Sequence, residues 1–181
     1  MDRIEALELV KQHVKTKNLI KHMLAAEAIM RRLALHFGED ADLWGLAGLV
    51  HDVDYAQTAD DPERHALVGA ELLQSLEVEP AIIQAVLGHA DKGPRLSLMD
   101  KALYATDPLT GLLVAAALIH PDKKLGSIDV DFVVKRFGEK SFARGADRDI
   151  ISSCTEFGLE LEEFLAMGLE AMQGIAGELG L

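Results

Sequence analysis

Several things are scarce in this 181-residue chain, and each scarcity excludes something. Cysteine occurs once, as Cys154, so no internal disulfide can form and a reducing compartment is expected. Basic residues are outnumbered, 18 Lys and Arg against 30 Asp and Glu, for a formal net charge of −12. That balance opposes non-specific binding to nucleic acid or to an anionic membrane. It leaves a phosphate substrate open, because a bound cation reverses the field locally. The start, Met1-Asp2-Arg3-Ile4-Glu5, has no secretory pattern. The longest apolar run, Leu109 to Ile119, is too short to span a bilayer. A cytoplasmic protein without a membrane partner is the expectation. No stretch alternates polar and apolar residues between hairpin turns, so no sheet is expected. With only 5 prolines and 49% hydrophobic residues, the composition fits a well-buried globular core.

What the chain has is helical periodicity. Residues 3–14 and 19–36 read as amphipathic helices, the second with Asn18 as N-cap and Gly38 as its left-handed stop. Asp40 or Asp42 caps a third, which ends at His51-Asp52. Asp61-Pro62 starts another with His65 in its first turn, and a helix over 81–88 ends at His89. A long helix starts near Ser97 and ends at His120-Pro121, with a kink or break expected at Pro108. Asp129 caps a helix through Phe137, Asp147 one over 148–157, and a last helix covers 160–178. The fold class is all-α, a compact orthogonal helical bundle. One domain is expected over 1–181, with a core at about 18–120 and a C-terminal helical extension over 121–181.

The chemistry gathers around His51-Asp52. The dipeptide closes the apolar run Leu43 to Val50, where two polar side chains are costly unless something satisfies them. A divalent metal would do so. Adjacent residues on a helix point about 100° apart, so both reach one ion only if the helix ends there. The polar stretch Asp54 to Pro62 supplies that end. His22, His65 and His89 also fall at helix starts or ends, and Asp107 sits beside a proline in an apolar helix.

The ordered set His22, His51-Asp52, Asp107 resembles the H…HD…D signature of the HD-domain superfamily of metal-dependent phosphohydrolases. Leu49 to Asp54 is similar to the family's apolar-apolar-HD motif. His65-Ala66-Leu67-Val68-Gly69-Ala70 resembles its H-x-x-x-G-A segment, and His89 matches the histidine that follows. The resemblance covers roughly residues 18–115. It implies that His22, His51, Asp52 and Asp107 hold one ion, with Asp52 also the catalytic carboxylate. Where two ions are bound, Asp52 bridges and His65 and His89 hold the second; with one ion, those histidines contact phosphate. Many members continue the pair with Ile-Gly-Lys. Here Val53-Asp54-Tyr55 follows, and that lysine is missing, which separates the chain from the cyclic-dinucleotide phosphodiesterases.

The function implied is hydrolysis of a small phosphorylated molecule, with nucleotides the first candidate class, by water that a metal activates. The donor set favours Mn, Fe, Co, Ni or Zn. Lys101, Arg144 and Arg148 are candidate contacts to substrate phosphate; solvated side chains and surface ion pairs are their alternatives. Asp54 is either a partner to a metal-binding histidine or a helix-end polar residue. A di-iron oxygenase of the same fold and a non-catalytic ligand sensor are the competing functions.

Overall fold

Helices form all the regular structure and no strand forms in the computed structural model, which describes residues 1–181. In order they are α1 (Arg3–His13), α2 (Lys17–Phe37), α3 (Ala41–Val50), α4 (Tyr55–Thr58), α5 (Leu67–Ser75) and α6 (Pro80–His89). There follow α7 (Leu98–Ile119), α8 (Val130–Phe137), α9 (Arg148–Ser152), α10 (Leu161–Gly174) and α11 (Ala176–Leu179), with 3-10 turns at Leu125–Ser127 and Ser153–Phe157. The all-α expectation holds. Caps set many of the boundaries. Asp40, Ser97, Asp129 and Asp147 accept backbone N–H bonds at the starts of α3, α7, α8 and α9. Each such cap is worth about 1 kcal/mol. Gly38, at φ 71°, closes α2 as a left-handed stop.

Four local expectations need correction. Thr16, not Asn18, is the N-cap of α2, and Asn18 lies in its first turn. Pro62 starts no regular helix: residues 62–66 form turns, and Ala66 at φ 64° forces α5 to begin at Leu67. His65 therefore stands in a turn before the helix. Of the kink or break expected at Pro108, the break does not occur: α7 runs as one helix of 22 residues. Pro108 has no N–H to give the Tyr104 carbonyl, but burial of α7 along Leu103, Leu109, Leu112 and Leu113 holds the helix on both sides of that gap. The last helix is divided at Ile175 into α10 and α11.

The core centres on α2 and α7, through Met23, Ile29, Met30 and Leu33 against Leu103, Leu109, Leu112 and Leu113. The helix containing the Leu109–Ile119 run is itself long and apolar enough to cross a membrane, but more than half of its apolar window is buried in this core. Phe164, Leu165 and Met172 of α10 join the same core. Gly168 lets α10 lie against α7, since a Cβ there would meet Leu109 Cδ2 at 2.7 Å.

One close approach positions the site. A Cβ on Gly48 would meet the Ala26 carbonyl oxygen at 2.7 Å, so α3 rests directly on the backbone of α2. His22 lies one turn before Ala26, and His51 three residues after Gly48. The glycine contact therefore fixes how near the two imidazoles come.

Candidate metal centre

Six side chains from five separate segments meet at one point. His22 comes from the start of α2, His51 and Asp52 from the end of α3, His65 from the turn before α5, His89 from the last residue of α6 and Asp107 from mid-α7. His51 retains helical angles as the C-cap, and the chain then turns through Asp54, which lets His51 and Asp52 face one centre. His22 Nε2 lies 3.1 Å from His51 Nε2, 3.1 Å from Asp107 Oδ1 and 3.4 Å from Asp52 Oδ2. His51 Nε2 lies 3.6 Å from Asp52 Oδ2 and 3.8 Å from Asp107 Oδ1. The other oxygen of Asp52, Oδ1, faces His65 Nε2 at 3.4 Å and His89 Nε2 at 3.5 Å. The carboxylate of Asp52 is thus shared between two histidine pairs.

Every imidazole is held from behind. His51 Nδ1 meets the Gly48 carbonyl at 2.8 Å, and His89 Nδ1 the Val86 carbonyl. His65 Nδ1 meets Asp54 Oδ1 at 3.1 Å. The Thr110 hydroxyl donates to the Asp107 carbonyl, so it accepts from His22 Nδ1–H at 2.7 Å. With each Nδ1 acting as donor, all four Nε2 atoms offer lone pairs to the centre. His89 Nε2 is buried with no hydrogen-bond partner. Lone pairs facing lone pairs and carboxylates repel unless a cation or protons lie between them. The donor set and its outward hydrogen bonds fit a transition-metal ion.

The electrostatics express the same demand for positive charge. Burial opposes a charge on His22, but the carboxylates of Asp107 and Asp52 outweigh it and raise its pKa to about 10. Burial likewise opposes charge on His89, and Asp52 raises it nonetheless. Burial would raise the acids; the histidines around them, His51 and His22 at Asp52 and His22 and His51 at Asp107, hold both well below the usual carboxylate range. The floor is closed, with His51 and His89 buried. The Asp107 side chain is 37% exposed, so the mouth opens on the side of Asp107 and His22.

The remaining expected contacts lie elsewhere. Lys101 Nζ reaches the Glu156 carbonyl at 3.5 Å. The Arg148 guanidinium is bonded to the carbonyls of Phe137, Phe142, Ala143 and Ala146, which makes it a clamp on the α8–α9 loop. Arg144 is exposed. None of the three makes a hydrogen bond or ion pair with the six-residue cluster. One neighbour of the centre carries no sequence signal: Thr110, which holds His22. Asp54 backs a histidine of the cluster: its Oδ1 meets His65 Nδ1, and its Oδ2 accepts the Gly69 N–H at 2.9 Å.

The family model described as HD domain matches residues 19–118, which contain all six residues. The chain belongs to the HD-domain superfamily of metal-dependent phosphohydrolases. Among curated proteins, it is 29% identical over 137 residues to Ribonuclease Y of Sulfurovum sp. (strain NBC37-1), covering 74% of this chain and 27% of that protein. It is 26% identical to Ribonuclease Y of Bacillus subtilis (strain 168) over 137 residues, 74% of this chain and 26% of the relative. This HD-domain chain therefore spans about a quarter of the length of the curated relatives it matches. No solved structure matches it.

Proposed function

We propose that the protein hydrolyses a small phosphorylated molecule, with nucleotides the first class to try, using two divalent ions that share Asp52. The observation that carries this reading is the division of Asp52, Oδ2 toward His22 and His51 and Oδ1 toward His65 and His89. His22, His51, Asp107 and Asp52 would hold one ion, and His65, His89 and Asp52 the other. Mn, Fe, Co, Ni and Zn suit this mixed imidazole and carboxylate set. Such ions supply acidified water for attack on phosphorus and neutralise phosphoryl charge. Thr110, Asp54 and the Gly48 and Val86 carbonyls keep the four imidazoles aimed, so that substrate entering past Asp107 meets a fixed array. Lys101, Arg144 and Arg148 are left as surface or loop-holding groups. A cytoplasmic setting goes with the single buried cysteine.

A second reading is cleavage of RNA, favoured by the similarity to proteins named Ribonuclease Y over 74% of the chain. The net charge of −12 weighs against it. Both are tested by assaying the Mn-loaded protein on p-nitrophenyl phosphate, a panel of nucleoside monophosphates and a short oligoribonucleotide. Turnover of the small phosphates, lost in Asp52→Ala, is the result expected. Turnover of the oligoribonucleotide alone would replace the first reading with the second.

A further inference from the structure

His89 stands on the last residue of α6. Helix ends fray, so a side chain there is fixed no better than the turn that carries it. Its Nδ1 meets the Val86 carbonyl in that same turn, which orients the ring but not the helix end. The chain then turns sharply, with Asp91 at φ 57°, and residues 90–97 lead to α7, the helix of Asp107. This connection is fastened to both helices. Gln84 of α6 donates to the Pro94 carbonyl at 2.6 Å, and the Asp100 carboxylate of α7 accepts the Leu96 and Ser97 N–H groups at 2.9 Å.

Arg95 joins the two fastenings. Its half-buried guanidinium donates to the Gly88 carbonyl at 3.1 Å, pairs with Asp91 and lies over the Tyr104 ring, Cζ being 3.7 Å from the ring centre. Gly88 precedes His89, and its carbonyl is one of those that a helix end leaves without an i+4 partner. Tyr104 lies one turn before Asp107 in α7. Gly88 makes room for the contact: a Cβ there would stand 3.2 Å from Arg95 Cγ, so the stem of Arg95 runs against the helix backbone. A planar guanidinium can donate along its edge while it stacks through its face, which an ammonium cannot reproduce.

We propose that Arg95 is a positioning residue of the metal centre: it braces the end of α6 against α7 and so sets where His89 stands relative to Asp52 and Asp107. This rests on the two-ion reading above. His89 Nε2, 3.5 Å from Asp52 Oδ1, belongs to the ion assigned to His65 and His89, so that ion depends on the brace. The ion assigned to His22, His51 and Asp107 is served by other supports, Thr110 behind His22 and the seating of Gly48 on α2. Charge and geometry predict opposite signs. Through its charge alone Arg95 repels a bound cation, and its removal would tighten metal binding. Through the brace, its removal loosens metal binding.

The test is a Mn titration of the full chain, read by calorimetry and by electron paramagnetic resonance, with thermal unfolding of each metal-free variant beside it. The parent is expected to take up two ions, spin-coupled through Asp52. Arg95→Met keeps the stem and removes the guanidinium; it is expected to weaken one of the two ions about 10-fold, with the other unchanged and the coupled signal replaced by that of an isolated ion at limiting Mn. Tyr104→Leu takes away the far support of the brace and leaves the charge in place, so weakening of the same ion is expected there too. Equal or tighter binding of both ions in Arg95→Met overturns the proposal. So does an equal weakening of both ions that follows a loss of thermal stability, since that is the mark of a purely structural arginine. A parent that binds one ion removes the two-ion reading and the brace with it. A parent that binds two, alongside an Arg95→Met that binds them equally well, removes the brace alone.

Discussion

At the scale of single residues, the six clustered side chains were legible because each sits where a polar group is out of place. His51-Asp52 closes an apolar helix, and Asp107 interrupts another. Lys101 lies apart from the cluster, because six residues at about 100° each is not a whole number of turns, which carries it off the face of Asp107. Thr110 was invisible, since a threonine in an apolar helix is ordinarily a core residue. Its hydrogen bond to His22 gives it a measurable role. Thr110→Val keeps the shape and removes the acceptor, and we expect metal affinity to fall about 10–100-fold with the fold intact. A metal titration followed by thermal unfolding checks both halves. Protonation provides a second test. With its pKa raised to about 10, His22 carries a proton at pH 7 in the metal-free chain. Metal must displace that proton, so apparent affinity should rise as pH rises from 7 toward 10. Calorimetry in buffers of different ionisation enthalpy should show net proton release on metal uptake; no release would contradict the charge state described.

At the scale of elements, caps and stops read well from sequence, because Asp40, Ser97, Asp129, Asp147 and Gly38 act through their own backbone neighbours. The failures came where distant packing decides. Pro62 has the signature of a helix start, yet residues 62–66 stay as turns, and Asp54 fixes their far end through His65 and Gly69. Pro108 looks like a break, yet α7 is packed on both sides of it. Two glycines give opposite expectations. Gly48→Ala pushes a methyl into the Ala26 backbone and should destabilise by about 1–3 kcal/mol. It should also weaken metal binding, because the same contact sets the distance from His22 to His51. Gly111→Ala, on an open helix surface, should stabilise by about 0.5–1 kcal/mol. Chemical denaturation of the two variants beside the parent measures both signs.

At the scale of the whole molecule, the all-α class followed from periodicity and the lack of alternation, and one apolar core takes in residues from Ala6 of α1 to Leu179 of α11. We propose that 1–181 behaves as one domain, which a single cooperative unfolding transition would support and two separated transitions would contradict. The convergence of five segments on one point was beyond local reading; it follows from how α3 rests on α2 and how α7 runs through the core. The acidic surface and the cationic demand of the centre oppose each other only from a distance, because bound ions would reverse the field where substrate enters. The central claim is that these six side chains form a transition-metal centre. Elemental analysis of freshly purified protein, before chelator or added salt, tests it most directly. The account expects close to two transition-metal ions per chain in the parent and a loss of them in Asp52→Ala. A folded parent without metal, which takes up none when offered Mn, Fe, Co, Ni and Zn, would contradict it.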